Sequence, residues 1–391
     1  MNYQRLHIKS FLKEAEKCIV IDVRSPSEYN HGHIIGSKNI PLFTDEERKV
    51  VGTAYKQESR EQAIKIGLDF FGPKMKKIIE EVEGLMNNKQ RAKSKDGDCQ
   101  LPIVNCIFLY CWRGGMRSAA IAWLLNLYGV KISVLAGGYK AYRNYVLETF
   151  SLPFSLKIVA GFTGSGKTEI LHELEKRGEE IIDLEKLASH KGSAFGNISM
   201  PVQPTQEMFE NLLAAKLWAM GNAQRAIEDS KPLDTHSSLT IHHSLSSHSP
   251  LTTHHLPLWL EDESQRIGLI NIPPAFWQQI RQAPVYFFDI PFEDRLKHII
   301  EEYGDHNKKL LADSITRISK KLGGLETKNA LNYLEEGNIS ACFSILLKYY
   351  DKHYLKGLHN RDNLSSLLQK LPGIAVNPNN AAMLTTYSIS A

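Results

Sequence analysis

Leu156-Lys-Ile-Val-Ala160-Gly161-Phe-Thr-Gly164-Ser165-Gly166-Lys167-Thr168 reads as a buried apolar strand that runs directly into a glycine-rich turn. It meets every fixed position of G-x-x-x-x-G-K-[ST], and Glu169 to Arg177 continues with helical spacing. A strand, loop and helix in this order predict a nest of backbone N–H groups from Gly164 to Thr168, at the positive end of a helix. Gly161, Gly164, Ser165, Gly166, Lys167 and Thr168 are therefore the expected phosphate-binding set. Lys167 would neutralise terminal phosphate charge, and the Thr168 hydroxyl can hold Mg²⁺.

Upstream, Cys106-Ile-Phe-Leu-Tyr110 is a second apolar strand, and it ends at Cys111-Trp-Arg113-Gly-Gly-Met-Arg117-Ser118. A cysteine at a strand-to-helix turn accepts hydrogen bonds from successive backbone N–H groups, and the helix terminus adds positive potential. Gly114 and Gly115 let the backbone fold tightly, while Arg113 and Arg117 add charge; which arginine faces the pocket is left open. These terms favour a nucleophilic thiolate at Cys111 and a loop able to hold a tetrahedral oxyanion or a persulfide. Cys18 and Cys106 lie in apolar runs and read as core residues.

Strands at Cys18–Asp22 and Ile132–Leu135, with a helix over Ser118–Tyr128, complete one α/β pattern; Glu180–Asp183, Leu256–Glu261 and Pro284–Asp289 extend another. The expected organisation is two parallel-sheet domains, residues 1–150 and 151–391, the second ending in a helical region from about Asp294 to Leu371. Asn87 to Gln100 is polar and reads as a surface loop. Residues 231–256 read as a flexible insertion rich in Ser, Thr and His; its six histidines have no regular ligand spacing, so no specific metal site is expected. Asp262 and Asp183 are candidates for the acidic partner of the phosphate loop.

The chain has 391 residues, 42% of them hydrophobic and 23% charged, and a formal net charge of +4. This mild excess is compatible with an RNA partner without requiring one. No apolar run reaches membrane-spanning length, no signal-peptide core opens the chain, and five irregularly spaced cysteines make no disulfide framework. A reducing cytoplasm is the expected location.

Asp22-Val-Arg24-Ser-Pro-Ser-Glu28-Tyr29 followed by Gly32-His-Ile-Ile-Gly36 through Pro41 resembles the opening of a rhodanese domain, with Cys111 where that family carries its persulfide-forming cysteine. The resemblance makes Asp22 and Arg24 structural. Five residues between Cys111 and Arg117, where ordinary rhodaneses have four, imply a loop admitting a larger group than sulfane sulfur. Tyr110 stands where the related phosphatases have histidine, which argues against phosphatase activity.

A rhodanese-like domain followed by a P-loop domain resembles the tRNA 2-selenouridine synthase family. The likeness includes Asp45-Glu-Glu-Arg48, Tyr55-Lys56-Gln57, Gly137-Gly-Tyr-Lys-Ala141, His190-Lys191-Gly-Ser-Ala-Phe-Gly196, Gln203-Pro-Thr-Gln206 and Glu261-Asp262-Glu-Ser264 with Ile267-Gly268. The resemblance implies replacement of sulfur by selenium in wobble 2-thiouridine of tRNA, with selenophosphate as donor and an S-geranylated intermediate made from geranyl diphosphate. It makes Arg48, Lys56, His190, Lys191, Asp262 and Arg266 candidates for tRNA contact or a second site. No cofactor is firmly implied, no membrane is, and the oligomeric state is left open. The rival expectation is a rhodanese-type sulfurtransferase fused to an ATP-dependent kinase-like domain.

Overall fold

The computed structural model describes residues 3–94, 106–229, 257–373 and 375–385; the His-rich insertion at 231–256 lies outside them. The chain divides into two compact units, Met1–Thr149 with Glu210–Leu212, and Phe150–Phe209 with Leu213–Ala391.

In the first unit, β1 (Gln4–Leu6), β2 (Ile19–Asp22), β3 (Lys38–Asn39), β4 (Cys106–Tyr110) and β5 (Lys131–Leu135) form one sheet in the order β1-β5-β4-β2-β3. Every pairing is parallel. β4 lies inside the sheet, which explains its continuous apolar run: a strand covered on both faces has no polar side to alternate with. Ile21, Ile107, Leu109, Ile121, Leu125 and Val134 pack as its core. The Pro26–His31 helix begins with a capping box, Ser25 and Glu28 each satisfying a backbone N–H of the other's turn.

In the second unit, β6 (Leu156–Gly161), β7 (Glu180–Ile182) and β8 (Leu258–Glu261) precede a short antiparallel pair, β9 (Arg266–Ile267) and β10 (Ile270–Asn271). With β11 (Val285–Asp289) and β12 (Leu368–Pro372) they give a second sheet, ordered β12-β11-β6-β8-β7 and parallel throughout. The phosphate-loop strand β6 is therefore central, flanked by β11 and β8. Active residues of such a sheet are expected at the strands' carboxyl ends. A separate helical core contains Leu296, Tyr303, Leu311, Ile315, Phe343 and Leu346.

Four features depart from the sequence expectations. The Met75–Ser94 helix takes in Asn87–Ser94, part of the expected polar loop, since polar residues with helical propensity continue a helix as readily as they form a turn; the rest of that loop, 95–100, lies outside the described residues. β12 closes the sheet where the helical spacing predicts more helix; it is an edge strand with only Leu371 buried, so it carries little strand pattern. β1, three residues long, has too little sequence to signal itself. Cys18 and Cys106, expected as plain core residues, are joined in a disulfide that ties the starts of β2 and β4.

Candidate active sites

Cys111 follows the last residue of β4 and is 3% exposed. Its Sγ lies 3.2 Å from Ser118 Oγ, and Ser118 lies 3.1 Å from the Gly115 carbonyl oxygen, to which it donates. The loop is clamped from the turn after β5. Tyr139 N donates to Cys111 O at 2.8 Å and Lys140 N to Trp112 O at 3.0 Å. That approach needs glycine at 138: its φ is +60°, and a Cβ there would overlap the Cys111 carbonyl oxygen.

The two arginines have different surroundings. Arg117 pairs with Glu28, Nη1 to Oε2 at 2.6 Å, with both side chains about one-fifth exposed; Arg113 is exposed. Burial alone would lift the Glu28 carboxyl, but the Arg117 guanidinium and the Ser25 backbone N–H hold it below its ordinary value. Behind the loop, the buried Arg24 guanidinium grips Asp22 through Nε and Nη2, donates to Gly32 O at 2.6 Å, and lies 3.8 Å from the Tyr139 ring centroid. Tyr110 holds β3's approach: its hydroxyl accepts from Ile34 N at 3.1 Å and sits 2.9 Å from Ser37 Oγ.

In the second unit the phosphate loop joins β6 to the Lys167–Lys176 helix. Gly164, with φ +79°, is the position where the loop presses on the Phe292–Tyr303 helix; a Cβ would lie 2.8 Å from Ile299 Cγ1. Arg295 fixes the loop from below. Its Nη1 donates to Thr163 O at 3.1 Å, both terminal nitrogens hold Asp351 at 2.8 and 2.9 Å, and the guanidinium lies 4.7 Å from the Phe162 ring centroid. Lys167 Nζ donates to Gly161 O at 3.2 Å and lies 5.8 Å from the Tyr354 ring centroid. Ser165 is buried at 1% exposure.

Both sequence candidates for the acidic partner have other work. Asp183 caps the Leu184–Ala188 helix through Lys186 N and meets His172 Nε2 at 2.7 Å. Asp262 accepts from the Tyr354 hydroxyl at 2.7 Å on one oxygen and pairs with the fully buried Arg361 on the other. Asp262 nonetheless lines the same cavity as Lys167 and Thr168, together with Glu185 and Glu263, while Glu261 lies buried behind them. Glu261 ends β8, the neighbour of β6; its Oε1 accepts from Glu185 N at 3.0 Å, while Oε2 is buried with no hydrogen-bond partner among the described residues. Burial, then the Glu185 charge, pushes the Glu263 carboxyl well above the usual range, and Lys167 opposes this. Burial likewise raises Glu185, again against Lys167. The strand-end glutamates flanking Asp262 were visible in sequence, but only the fold shows which of three adjacent acids turns inward. No three His, Cys, Asp or Glu side chains converge as a metal cluster among the described residues.

The loop opens into a cavity of about 820 Å³ within this unit. Lys167, Thr168, Glu185, Lys191 and Glu263 line its polar part, and Phe195, Ile299, Tyr303, Phe343 and Leu347 its apolar part. Lys191, a candidate for tRNA contact, pairs here with Glu302 and lies 5.4 Å from the Tyr303 ring centroid. His190 is buried at 8% exposure, and desolvation followed by the Arg317 charge lowers its pKa, so it presents no cationic surface. Arg48 is half exposed near Glu28, Lys56 is exposed, and Arg266 is exposed with Nε donating to Gly268 O at 3.0 Å. No helix of the described residues is long and apolar enough to cross a membrane.

Comparisons with known proteins agree with this two-unit arrangement. A rhodanese-like domain family matches residues 8–145, and the tRNA 2-selenouridine synthase AAA domain family matches residues 154–233 and 240–370. The chain is similar to the tRNA 2-selenouridine synthase of Bdellovibrio bacteriovorus, 34% identical over 384 residues, covering 88% of this chain and 89% of that protein. It is 33% identical to that of Shewanella piezotolerans over 367 residues, covering 86% and 87% of the two chains. The Nitrosomonas europaea enzyme of the same name is 33% identical over 287 residues, covering 73% of this chain and 63% of that protein. A rhodanese-like unit with an intact Cys111 loop, a P-loop unit and similarity along most of the length together place this chain in the tRNA 2-selenouridine synthase family.

Proposed function

We propose that this protein replaces sulfur by selenium in the wobble 2-thiouridine of tRNA, through an S-geranyl intermediate made at the P-loop and a selenium step that uses Cys111. The observation that carries the P-loop half is the cavity running from Lys167 and Thr168 to apolar side chains, a shape suited to a diphosphate with a hydrocarbon chain. In the first step the C2 sulfur of 2-thiouridine attacks C1 of geranyl diphosphate. The C–O bond breaks, its electron pair leaves with diphosphate, and the N3 proton of the thiouridine passes to solvent. Loop N–H groups and Lys167 stabilise the growing negative charge, which needs no water-activating base. A Mg²⁺ ion accompanying the diphosphate would meet the Thr168 hydroxyl and neutralise further charge.

In the second step the selenium of selenophosphate adds at C2 and the geranyl group leaves with the original sulfur as a thiolate that takes a proton; water then attacks phosphorus, the P–Se bond breaks with its electron pair staying on selenium, and phosphate is released. The Cys111 loop, with Arg117 nearby, suits the tetrahedral phosphate part of that donor. Exposed Arg48, Lys56, Arg113 and Arg266 are the candidates for tRNA phosphates. A transfer-RNA substrate and selenophosphate are consistent with a cytoplasmic enzyme.

The test is mass analysis of nucleosides after incubating 2-thiouridine tRNA with the protein, geranyl diphosphate and selenophosphate. The expected result is 2-selenouridine with wild type, S-geranyl-2-thiouridine accumulating with Cys111→Ala, and neither product with Lys167→Ala. Undiminished geranylation by Lys167→Ala would remove the P-loop assignment. Sulfur transfer from thiosulfate with ATP turnover, and no selenouridine, would favour the sulfurtransferase–kinase reading.

A further inference from the structure

We propose that the Ile339–His359 helix is a ruler for the hydrocarbon chain of the diphosphate substrate, with Leu346, Leu347 and Phe343 setting the longest chain that binds. This rests on the prenyl diphosphate reading of the P-loop and adds the residues that decide chain length. Tyr354 marks the near end of the ruler, its hydroxyl accepting from Gly161 N of the phosphate loop at 3.3 Å. Tyr350, Leu347, Leu346 and Phe343 lie 4, 7, 8 and 11 residues before it, a spacing that keeps them on one helix face, and all of them line the cavity. Eleven residues of α-helix span about 16 Å.

The opposite wall has the same polarity. Ile299 packs against the phosphate loop at Gly164, and Tyr303 follows one helical turn, about 6 Å, further along. Tyr303, Phe195 and Phe343 then meet as a three-ring set with centroids 6.2, 6.3 and 6.4 Å apart. Each of these rings and both leucines are under 10% exposed, so they form a packed stop rather than an open mouth. The eight main-chain carbons of a geranyl group extend about 9 Å, from seven carbon–carbon bonds of about 1.5 Å in zigzag. Added to the diphosphate, that length ends near Leu346 and Phe343. A third isoprene unit would have to displace the rings, which packed interiors resist.

The experiment is competition binding to the full chain with inorganic diphosphate and with dimethylallyl, geranyl and farnesyl diphosphates. Wild type should prefer geranyl diphosphate. Leu346→Phe should weaken geranyl binding by about tenfold or more while dimethylallyl and inorganic diphosphate bind as before, a loss of the size expected for a hydrocarbon pocket shortened by a few carbons. Phe343→Ala should raise farnesyl affinity relative to geranyl by a similar factor. Inorganic diphosphate serves as the folding control for each variant, and either folded variant decides the question. Unchanged geranyl-to-farnesyl ratios in folded variants overturn the ruler and leave the proposed function standing. Wild type that binds inorganic diphosphate but no prenyl diphosphate overturns the P-loop reading itself.

Discussion

Tyr354 donates its phenolic proton to Asp262 Oδ2 at 2.7 Å while the same hydroxyl accepts the Gly161 amide, so one ring fastens the first residue of the phosphate loop to the acid after β8. Burial, then the Asp262 charge, pushes the Tyr354 phenol well above its ordinary value, which keeps it a donor across the working pH range. Asp262 in turn neutralises Arg361, whose side chain is fully buried.

Asp262→Ala should therefore act through stability. It strands the Arg361 charge, at a cost of about 3–5 kcal/mol, whereas Tyr354→Phe removes two hydrogen bonds, to Asp262 and from the Gly161 amide, and should cost about 1–3 kcal/mol. Urea unfolding checks both. An Asp262→Ala variant of wild-type stability would mean that Arg361 finds another partner.

Glu263 gives a pH signature. Its carboxyl is raised from about 4.5, so between that value and its native value the folded chain holds a proton that the unfolded chain has released. Stability should fall with rising pH across this window. Diphosphate affinity should fall in the same direction, because ionised Glu263 and Glu185 add negative charge beside the phosphates. Glu263→Gln should flatten both profiles, and titration calorimetry at several pH values would show it.

Gly138→Ala should inactivate the Cys111 loop. The residue has φ +60°, where an L side chain costs about 1–2 kcal/mol, and its methyl group would meet the Cys111 carbonyl. Selenouridine formation should drop at least about tenfold while geranylation continues. Loss of both activities together would point to general unfolding of the chain.

Arg117 depends on Glu28 for its direction. Because the Glu28 carboxyl is held low, its contribution is present above the ordinary carboxylate range and is lost as pH falls through the native value. Glu28→Gln should lower the rate of the selenium step at neutral pH by about tenfold or more, in line with losing an oriented charge, with little change in geranylation. Single-turnover nucleoside analysis separates the two steps.

Cys18→Ser opens a bridge between residues 88 positions apart and should lower stability by about 2–4 kcal/mol under oxidising conditions. In dithiothreitol the variant and wild type should melt at similar temperatures.

The two loops were legible because their chemistry is local. A glycine-rich turn between an apolar strand and a helix needs only consecutive residues, and the runs Cys106–Tyr110 and Leu156–Gly161 announce strands covered on both faces. The rhodanese-like and P-loop organisation followed from these segments. Other features depend on side chains that meet only after the chain folds. Glu28 reaches Arg117 across 89 residues, and Tyr354 reaches Gly161 across 193, distances at which sequence spacing carries no geometric information. For the same reason the roles of Glu261, Asp262 and Glu263, all acidic, are set by packing: Tyr354 and Arg361 hold Asp262, Glu261 is buried against the Glu185 amide, and Glu263 feels the Lys167 charge.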